Sequence, residues 1–148
     1  YAYANDSLIQ TDPLGLEKSP VCNAARAAIT SKDVAFGLTR AKGASGSLVR
    51  FAGEAIPGTR APLSEATRAL APGAARNAAI AQDTVRFAEA TIRQTGGKLH
   101  FNLSGFSVRG ATTPGSAVYN SVTSAEYRAI MANPFLRGQT VFHGTPLP

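Results

Sequence analysis

The side chains best suited to acid–base chemistry in this sequence are its two histidines, His100 and His143. An imidazole has an ordinary pKa of about 6.5, so it can take up or release a proton at neutral pH. Metal-free RNA cleavage needs a base for the 2′-hydroxyl, an acid for the leaving oxygen, and cations for the phosphate charge. We therefore take His100 as a catalytic candidate and His143 as a substrate-binding candidate. The alternative for His100 is a solvent-facing strand histidine without a chemical role.

Cationic and aromatic side chains that could bind a nucleic acid surround His100 in the sequence. Arg93, Lys98 and Arg109 flank it and could bind phosphate oxygens. Tyr119 could stack on a base, although a packing role explains it equally. These four residues, together with His143, form the predicted substrate-binding set.

A second group of candidates lies in the segment Thr123-Ser124-Ala125-Glu126. This pattern matches a capping box and predicts the start of a helix, where hydroxyls and backbone N–H groups bind anions. Thr123, Ser124 and Glu126 therefore join His100 as catalytic candidates. Helix capping alone would explain the same three residues.

Metal and cofactor chemistry have little support in the sequence. With two histidines and no HExxH motif, we predict no metal site. The phosphate-binding motifs GxxxxGK[ST] and GxGxxG and the nucleophile motif GxSxG are also missing, so we predict no cofactor. Cys22 is the lone cysteine, which rules out an intramolecular disulfide. Because Cys22 lies in an alanine-rich run, we interpret it as a small buried side chain.

Composition indicates a basic domain. The 148 residues carry 15 Lys and Arg against 9 Asp and Glu, for a net charge of +6. Such a surface attracts nucleic acid, an acidic protein or an anionic membrane. No run of about 20 apolar residues occurs, so no membrane span is predicted. The first residues do not resemble a signal peptide, and we expect any export signal on a larger precursor or a delivery partner.

The elements that must position these side chains are several helices followed by a small sheet. Apolar residues at spacings of three and four predict an amphipathic helix over 74–94. Alternation over 98–103 predicts a strand with His100 on its polar side. The fold class is predicted as α+β, with N-terminal helices followed by a small, mostly antiparallel sheet with one embedded helix. The further predicted elements are helices over 20–31 and 32–42, a short helix from Ser64, a strand over 106–109, a helix over 124–132 ended by Asn133-Pro134, and a strand over 139–143.

The first sixteen residues, YAYANDSLIQTDPLGL, resemble the end of the core of Rhs/YD-repeat polymorphic toxins. The resemblance implies a shell-like core that encloses a C-terminal toxin and an aspartyl autoprotease that cuts after the DPxGL motif. By the same resemblance, Asp12 is one of the protease aspartates and Leu16 is the residue before the cut. We therefore divide the chain into 1–16, the end of the Rhs core, and 17–148, the toxin domain.

The last third of the chain resembles the tails of ribonuclease toxins of the barnase–EndoU–colicin–RelE group. The segments that carry this resemblance are GKLHFNLSGF, VTSAEYRAI and NPFLRGQTVFHG. It implies roles for His100, Thr123, Ser124 and Glu126. The acid that usually follows the FNLxG element is replaced here by Phe106.

Together these resemblances imply a secreted antibacterial effector of the kind used in interbacterial competition through type VI secretion. The expected activity is metal-independent cleavage of tRNA or other RNA in the cytoplasm of the target cell. The expected partners are the Rhs core shell before release and a cognate immunity protein, which the basic charge predicts to be acidic.

Two other functions remain open at this point. An NAD-dependent ADP-ribosyltransferase would use Arg40 or Arg50, the Thr123-Ser124 pair and Glu126, although no ExE or QxE motif is present. A pore-forming or purely binding toxin is the other. A pore is disfavoured because the chain has no long apolar segment.

Overall fold

The computed structural model describes residues 30, 32–37, 63–103 and 105–148. Several predictions lie outside the described residues and stay predictions. They concern the domain boundary with Asp12 and Leu16, the side chain of Cys22, almost all of the helix over 20–31, and Arg40 and Arg50.

The part of the chain that the structure describes contains three strands and five helices, and helices lie between successive strands. Parallel strands are usually connected by helices, which cover both faces of such a sheet. In chain order the elements are β1 (Val34–Gly37), α1 (Glu65–Ala69), α2 (Ala74–Thr95), β2 (Leu99–Asn102), α3 (Val108–Thr112), α4 (Val122–Met131), α5 (Pro134–Gln139) and β3 (Thr140–His143).

The three strands form one parallel sheet in the order β1–β2–β3. Leu99 lies opposite Val34 on one side and opposite Thr140 on the other. The prediction of a mostly antiparallel sheet after the N-terminal helices is therefore wrong. Antiparallel neighbours need only a tight turn, whereas parallel neighbours need a crossover connection. Residues 103–139 form that crossover between β2 and β3, and they contain α3, α4 and α5.

Helix α2 confirms the helix predicted over 74–94. It ends at Gly96, whose left-handed backbone (φ 74°) favours glycine and closes the helix. Ala78, which the periodicity places on the apolar face, is exposed. The remaining residues of that face are buried as predicted: Ala81, Val85, Ala88 and Ile92.

Helix α4 confirms the predicted helix over 124–132, but it begins earlier. Its N-cap is Ser121, whose hydroxyl oxygen accepts a hydrogen bond from the Ser124 backbone N–H at 3.2 Å. Thr123 is therefore inside the first turn and does not cap the helix. The capping signal is the Ser-x-x-Ser spacing, two residues before the predicted capping box.

Two local predictions are wrong. The interval 32–42, which was predicted as a helix, contains strand β1. The β-branched and aromatic residues of this strand favour an extended backbone. The strand predicted over 106–109 is the start of α3, capped by the Ser107 hydroxyl, which accepts from the Gly110 N–H at 2.9 Å. The predicted end of α4 before Asn133-Pro134 is confirmed. The same pair also begins α5, because the Asn133 side chain caps that helix and Pro134 occupies its first turn.

The hydrophobic core lies on one face of the sheet, under α2 and α4. Phe101 of β2 is fully buried there and makes an edge contact with Tyr127 of α4, at 5.9 Å between ring centroids. No helix in the described ranges is long and apolar enough to cross a membrane. The other buried members of this core are Val34, Val85, Ala88, Ile92, Leu99, Ile130 and Leu136.

Candidate functional site

The opposite face of the sheet carries polar side chains. Successive residues of a strand point to opposite faces, so His100 lies on the face away from Leu99 and Phe101. The same alternation and the strand register place Asp33 and His143 on the face of His100. All three side chains are buried. The alternative interpretation of His100 as a solvent-facing strand histidine is therefore wrong.

Asp33, His100 and His143 are joined by hydrogen bonds, and we call them the acid–imidazole triad. The His100 ring is 2.9 Å from Asp33, from Nε2 to Oδ2. Its other nitrogen, Nδ1, is 2.8 Å from Nε2 of His143. Each step along the triad moves one strand across the sheet and two residues toward its carboxyl edge. The parallel register therefore brings together residues from all three strands.

Asp33 is held in place by backbone hydrogen bonds. Its Oδ2 accepts from the Thr30 N–H and its Oδ1 from the Lys98 N–H, both at 2.8 Å. Burial by itself raises the pKa of Asp33, but these two N–H groups and the His100 ring outweigh it and hold the pKa below its ordinary value. The Asp33 carboxylate is therefore ionised at neutral pH.

His143 is the least buried residue of the triad. It is 8% exposed, whereas His100 is 1% exposed. Burial lowers the pKa of His143, so its ring is neutral at pH 7. The Leu103 N–H donates to the His143 carbonyl at 2.8 Å and fixes the end of β3. His143 is thus suited to accept a proton from a bound molecule, and His100 can act only through it.

Gly97 makes the position of Asp33 possible. A Cβ atom at Gly97 would lie 2.1 Å from the Lys32 carbonyl oxygen and 2.8 Å from Asp33 Oδ1. The Thr95 hydroxyl donates to the same Lys32 carbonyl at 2.8 Å. The turn between α2 and β2 thus approaches the start of β1 closely enough to exclude any side chain. In the sequence a Gly-Gly pair after a helical segment indicates only the end of the helix, so this second role of Gly97 is not visible there.

The other predicted catalytic residues lie away from the triad. Tyr127 of α4 packs against Phe101, so α4 covers the core face of the sheet. Thr123, Ser124 and Glu126 belong to this helix. The Ser124 side chain is buried and hydrogen-bonds the Ser121 hydroxyl at 3.0 Å. The structure therefore does not bring these three residues together with His100.

Glu126 is buried between α4 and α2. Burial raises its pKa to about 8, and a hydrogen bond with Thr84 opposes that shift only in part. At neutral pH the side chain is mainly the uncharged acid. Glu126 therefore lacks the negative charge that a carboxylate needs to stabilise a cationic transition state.

Two of the predicted phosphate-binding residues have partners within the protein. Arg93 forms an ion pair with Glu89 at 2.9 Å, and its guanidinium lies 3.8 Å from the Phe135 ring centroid. Lys98 shares the polar face of the sheet, where its Nζ donates to Gln139 Oε1 at 3.0 Å. The side chains of Arg93 and Lys98 are both exposed.

The remaining two predicted binding residues differ in accessibility. Arg109 is exposed on α3. The Tyr119 ring is half-buried and lies against Arg128, at 3.7 Å from the guanidinium carbon to the ring centroid. Arg128 also donates to the Ala111 and Tyr119 carbonyls, at 2.7 and 2.8 Å. Tyr119 therefore packs within the fold, as the alternative interpretation proposed.

Asp33 is the residue of the site that sequence reasoning missed. It directly precedes the apolar segment of β1, but the interval was interpreted as a helix. An acid next to a short run of β-favouring residues was the available signal. Among the described residues, no group of three or more His, Cys, Asp and Glu could hold a metal ion.

Comparison of the chain with protein families, curated proteins and solved structures found no match.

Proposed function

We propose that this protein is a metal-independent endoribonuclease toxin in which His143 contacts the RNA. The observation that carries the proposal is the hydrogen-bonded triad of Asp33, His100 and His143. An ionised acid, a buried imidazole and a neutral, partly accessible imidazole are the parts needed for general-base catalysis. His143 is also the last residue of a parallel strand, and ligands of open parallel sheets bind at the carboxyl edge.

The reaction begins when Nδ1 of His143 takes the proton of a ribose 2′-hydroxyl. The 2′-oxygen then forms a bond to the adjacent phosphorus, and the bond from phosphorus to the 5′-oxygen breaks. The leaving 5′-oxygen takes a proton from water, and the products are a 2′,3′-cyclic phosphate and a 5′-hydroxyl. Through His100, the Asp33 carboxylate stabilises the positive charge that forms on His143.

The net charge of +6 supports a polyanionic substrate. Lys98 faces the same side of the sheet as the triad, but the register places it four residues before the Asn102–His143 row. At a rise of 3.3 Å per residue this is about 13 Å. Lys98 is therefore suited to a flanking phosphate and not to the phosphate that is cleaved.

The biological setting of this proposal rests on the resemblance of residues 1–16 to the end of an Rhs core. In this setting the protein is a secreted effector that cuts tRNA or another RNA in the cytoplasm of a target cell. A producing cell then needs an immunity protein, and an acidic one complements the basic charge.

The geometry favours this function over ADP-ribosyl transfer. That alternative needs Glu126 as a carboxylate beside the Thr123-Ser124 pair. Glu126 is instead an uncharged acid under α2, and Ser124 is buried in the first turn of α4.

The test is incubation of the purified chain with total RNA in EDTA and without NAD. Wild-type protein should cut the RNA, and His143→Ala should cut at least about 100-fold more slowly because the general base is lost. His143→Gln keeps a polar group beside His100 and serves if the alanine variant does not fold. Val141→Ala, an exposed position on the same strand, is the control and should keep the wild-type rate.

Intact RNA after incubation with wild-type protein would overturn the proposal. So would a folded His143 variant with the wild-type rate. A parallel reaction with labelled NAD tests the alternative, since ADP-ribose transfer with intact RNA would replace the ribonuclease with a transferase.

A further inference from the structure

The hydrogen bonds of the triad determine which nitrogen of each imidazole carries a proton. An ionised carboxylate offers acceptors and no donor. Oδ2 of Asp33 accepts from the Thr30 N–H and also faces Nε2 of His100 at 2.9 Å. The proton between Asp33 and His100 must therefore sit on Nε2 of His100.

The same reasoning extends to the second imidazole. If His100 carries one proton and that proton sits on Nε2, its Nδ1 has a lone pair. That lone pair faces Nε2 of His143 at 2.8 Å, so Nε2 of His143 must be the donor. In a neutral His143 the lone pair then lies on Nδ1.

We propose that Asp33 and His100 are positioning residues that hold His143 in the tautomer with its proton on Nε2 and its lone pair on Nδ1. Asp33 makes this choice across two hydrogen bonds and without touching His143. The burial of all three side chains protects these bonds from competing water.

This arrangement prepares His143 for proton uptake, and that consequence rests on the proposed function. A proton that arrives at Nδ1 leaves the Nε2–H bond to His100 in place, so no hydrogen bond has to reverse. The opposite tautomer would present an N–H group at Nδ1 and could not accept the proton. The lowered pKa of His143 agrees with a neutral ring before the reaction.

The direct test is a nitrogen NMR spectrum of the imidazole rings in the ¹⁵N-labelled wild-type chain at pH 8. The chain has two histidines, so His143→Ala assigns both rings. We expect both rings protonated on Nε2 and unprotonated on Nδ1. A proton on Nδ1 of His143 would overturn the proposal, and so would a doubly protonated His100, which reverses the last hydrogen bond.

Asp33→Asn tests whether the acid makes the choice. The carboxamide keeps the shape of the side chain but can offer N–H to His100, so Nδ1 of His143 should become protonated in part. RNA cleavage should then show kcat reduced at least about tenfold, with KM changed less than about twofold. An unchanged His143 tautomer in the folded variant would overturn the role of Asp33.

A second buried carboxylate provides the matched control. Asp83 accepts from the Ser64 N–H at 2.9 Å and pairs with Arg86. Asp83→Asn should leave the His143 tautomer and kcat unchanged, and a change as large as that of Asp33→Asn would contradict a specific role for Asp33. If Asp33→Asn does not fold, the wild-type spectrum still decides the tautomer.

The two proposals can fail separately. The expected tautomer in a chain that leaves RNA intact supports the positioning inference and overturns the ribonuclease. RNA cleavage by a chain with a proton on Nδ1 of His143 supports the ribonuclease and overturns the positioning inference.

Discussion

Strand β2 is buried on both sides, but the two sides are buried in different ways. Leu99 and Phe101 pack into hydrocarbon under α2 and α4, whereas His100 and Asn102 are polar and equally inaccessible. A hydrophobic face gains stability in proportion to the apolar area removed from water. A buried polar face is tolerated only where its groups are hydrogen-bonded, so geometry matters more there than area.

The acids on the two sides show what this difference does to charge. Asp33 receives two backbone N–H bonds and one imidazole bond, and its pKa falls. Glu126 has a hydrogen bond with one hydroxyl, that of Thr84, and burial raises its pKa to about 8. Both side chains are less than a tenth exposed. Burial alone therefore does not fix charge, because the hydrogen-bond donors around each acid decide it.

The largest expected effect comes from the core face. Phe101→Ala removes a fully buried ring that contacts Phe106, Tyr127 and Phe142. We expect the free energy of unfolding to fall by about 3–5 kcal/mol, because transfer and cavity costs add. Urea unfolding followed by circular dichroism measures this change.

His143→Ala is the comparison from the polar face. It leaves the Nδ1 acceptor of His100 without its donor and should reduce the free energy of unfolding by about 1–3 kcal/mol. If this variant loses as much stability as Phe101→Ala, the hydrophobic face does not contribute more to the free energy of unfolding than the polar face.

An effect of similar size is expected where the α2–β2 turn meets Asp33. Gly97→Ala puts a methyl group 2.1 Å from a backbone carbonyl oxygen, so the turn or β1 must move. We expect a loss of about 1–3 kcal/mol in the free energy of unfolding, together with slower RNA cleavage. Gly138→Ala, with open space around its Cβ, is the control and should be neutral or stabilising by up to about 1 kcal/mol. Equal losses in the two variants would remove the steric explanation.

The sequence predicts those parts of the fold that local pattern determines. The 3.6-residue period gives α2 almost to its ends, alternation gives β2, and the strand predicted over 139–143 is β3. The parallel order of the strands follows from contacts between distant residues. The Asp33–His100 bond joins residues 67 apart, and no local pattern contains that information.

The candidate site divides in the same way. His100 and His143 are identified by residue type because few side chains titrate near neutrality. Their roles are not, since only the structure shows that both are buried and that His143 is the less buried of the two. Asp33 was missed because β1 is four residues long, and four residues are too short for a period to separate strand from helix.

The pH dependence of stability sharpens the comparison of the two acids. Glu126 has an ordinary pKa of 4.5 when unfolded and about 8 when folded, so the folded state binds more protons between these values. Its contribution to the free energy of unfolding is therefore present at low pH and is lost as the pH rises from 4.5 to 8. The loss is at most about 1.4 kcal/mol per pH unit. His143 acts in the opposite direction, because its lowered pKa makes the folded state bind fewer protons.

Subtraction isolates the contribution of Glu126. Glu126→Gln mimics the uncharged acid at every pH, so wild type minus variant should show a fall in unfolding free energy from pH 5 to pH 8. The contribution of His143 is common to both proteins and cancels. Glu65→Gln, at an exposed acid, is the control and should leave the fall between pH 5 and pH 8 in place. A flat difference between wild type and Glu126→Gln would mean that Glu126 is charged in the folded protein. The buried acids Asp33 and Glu126 would then have the same charge state at neutral pH.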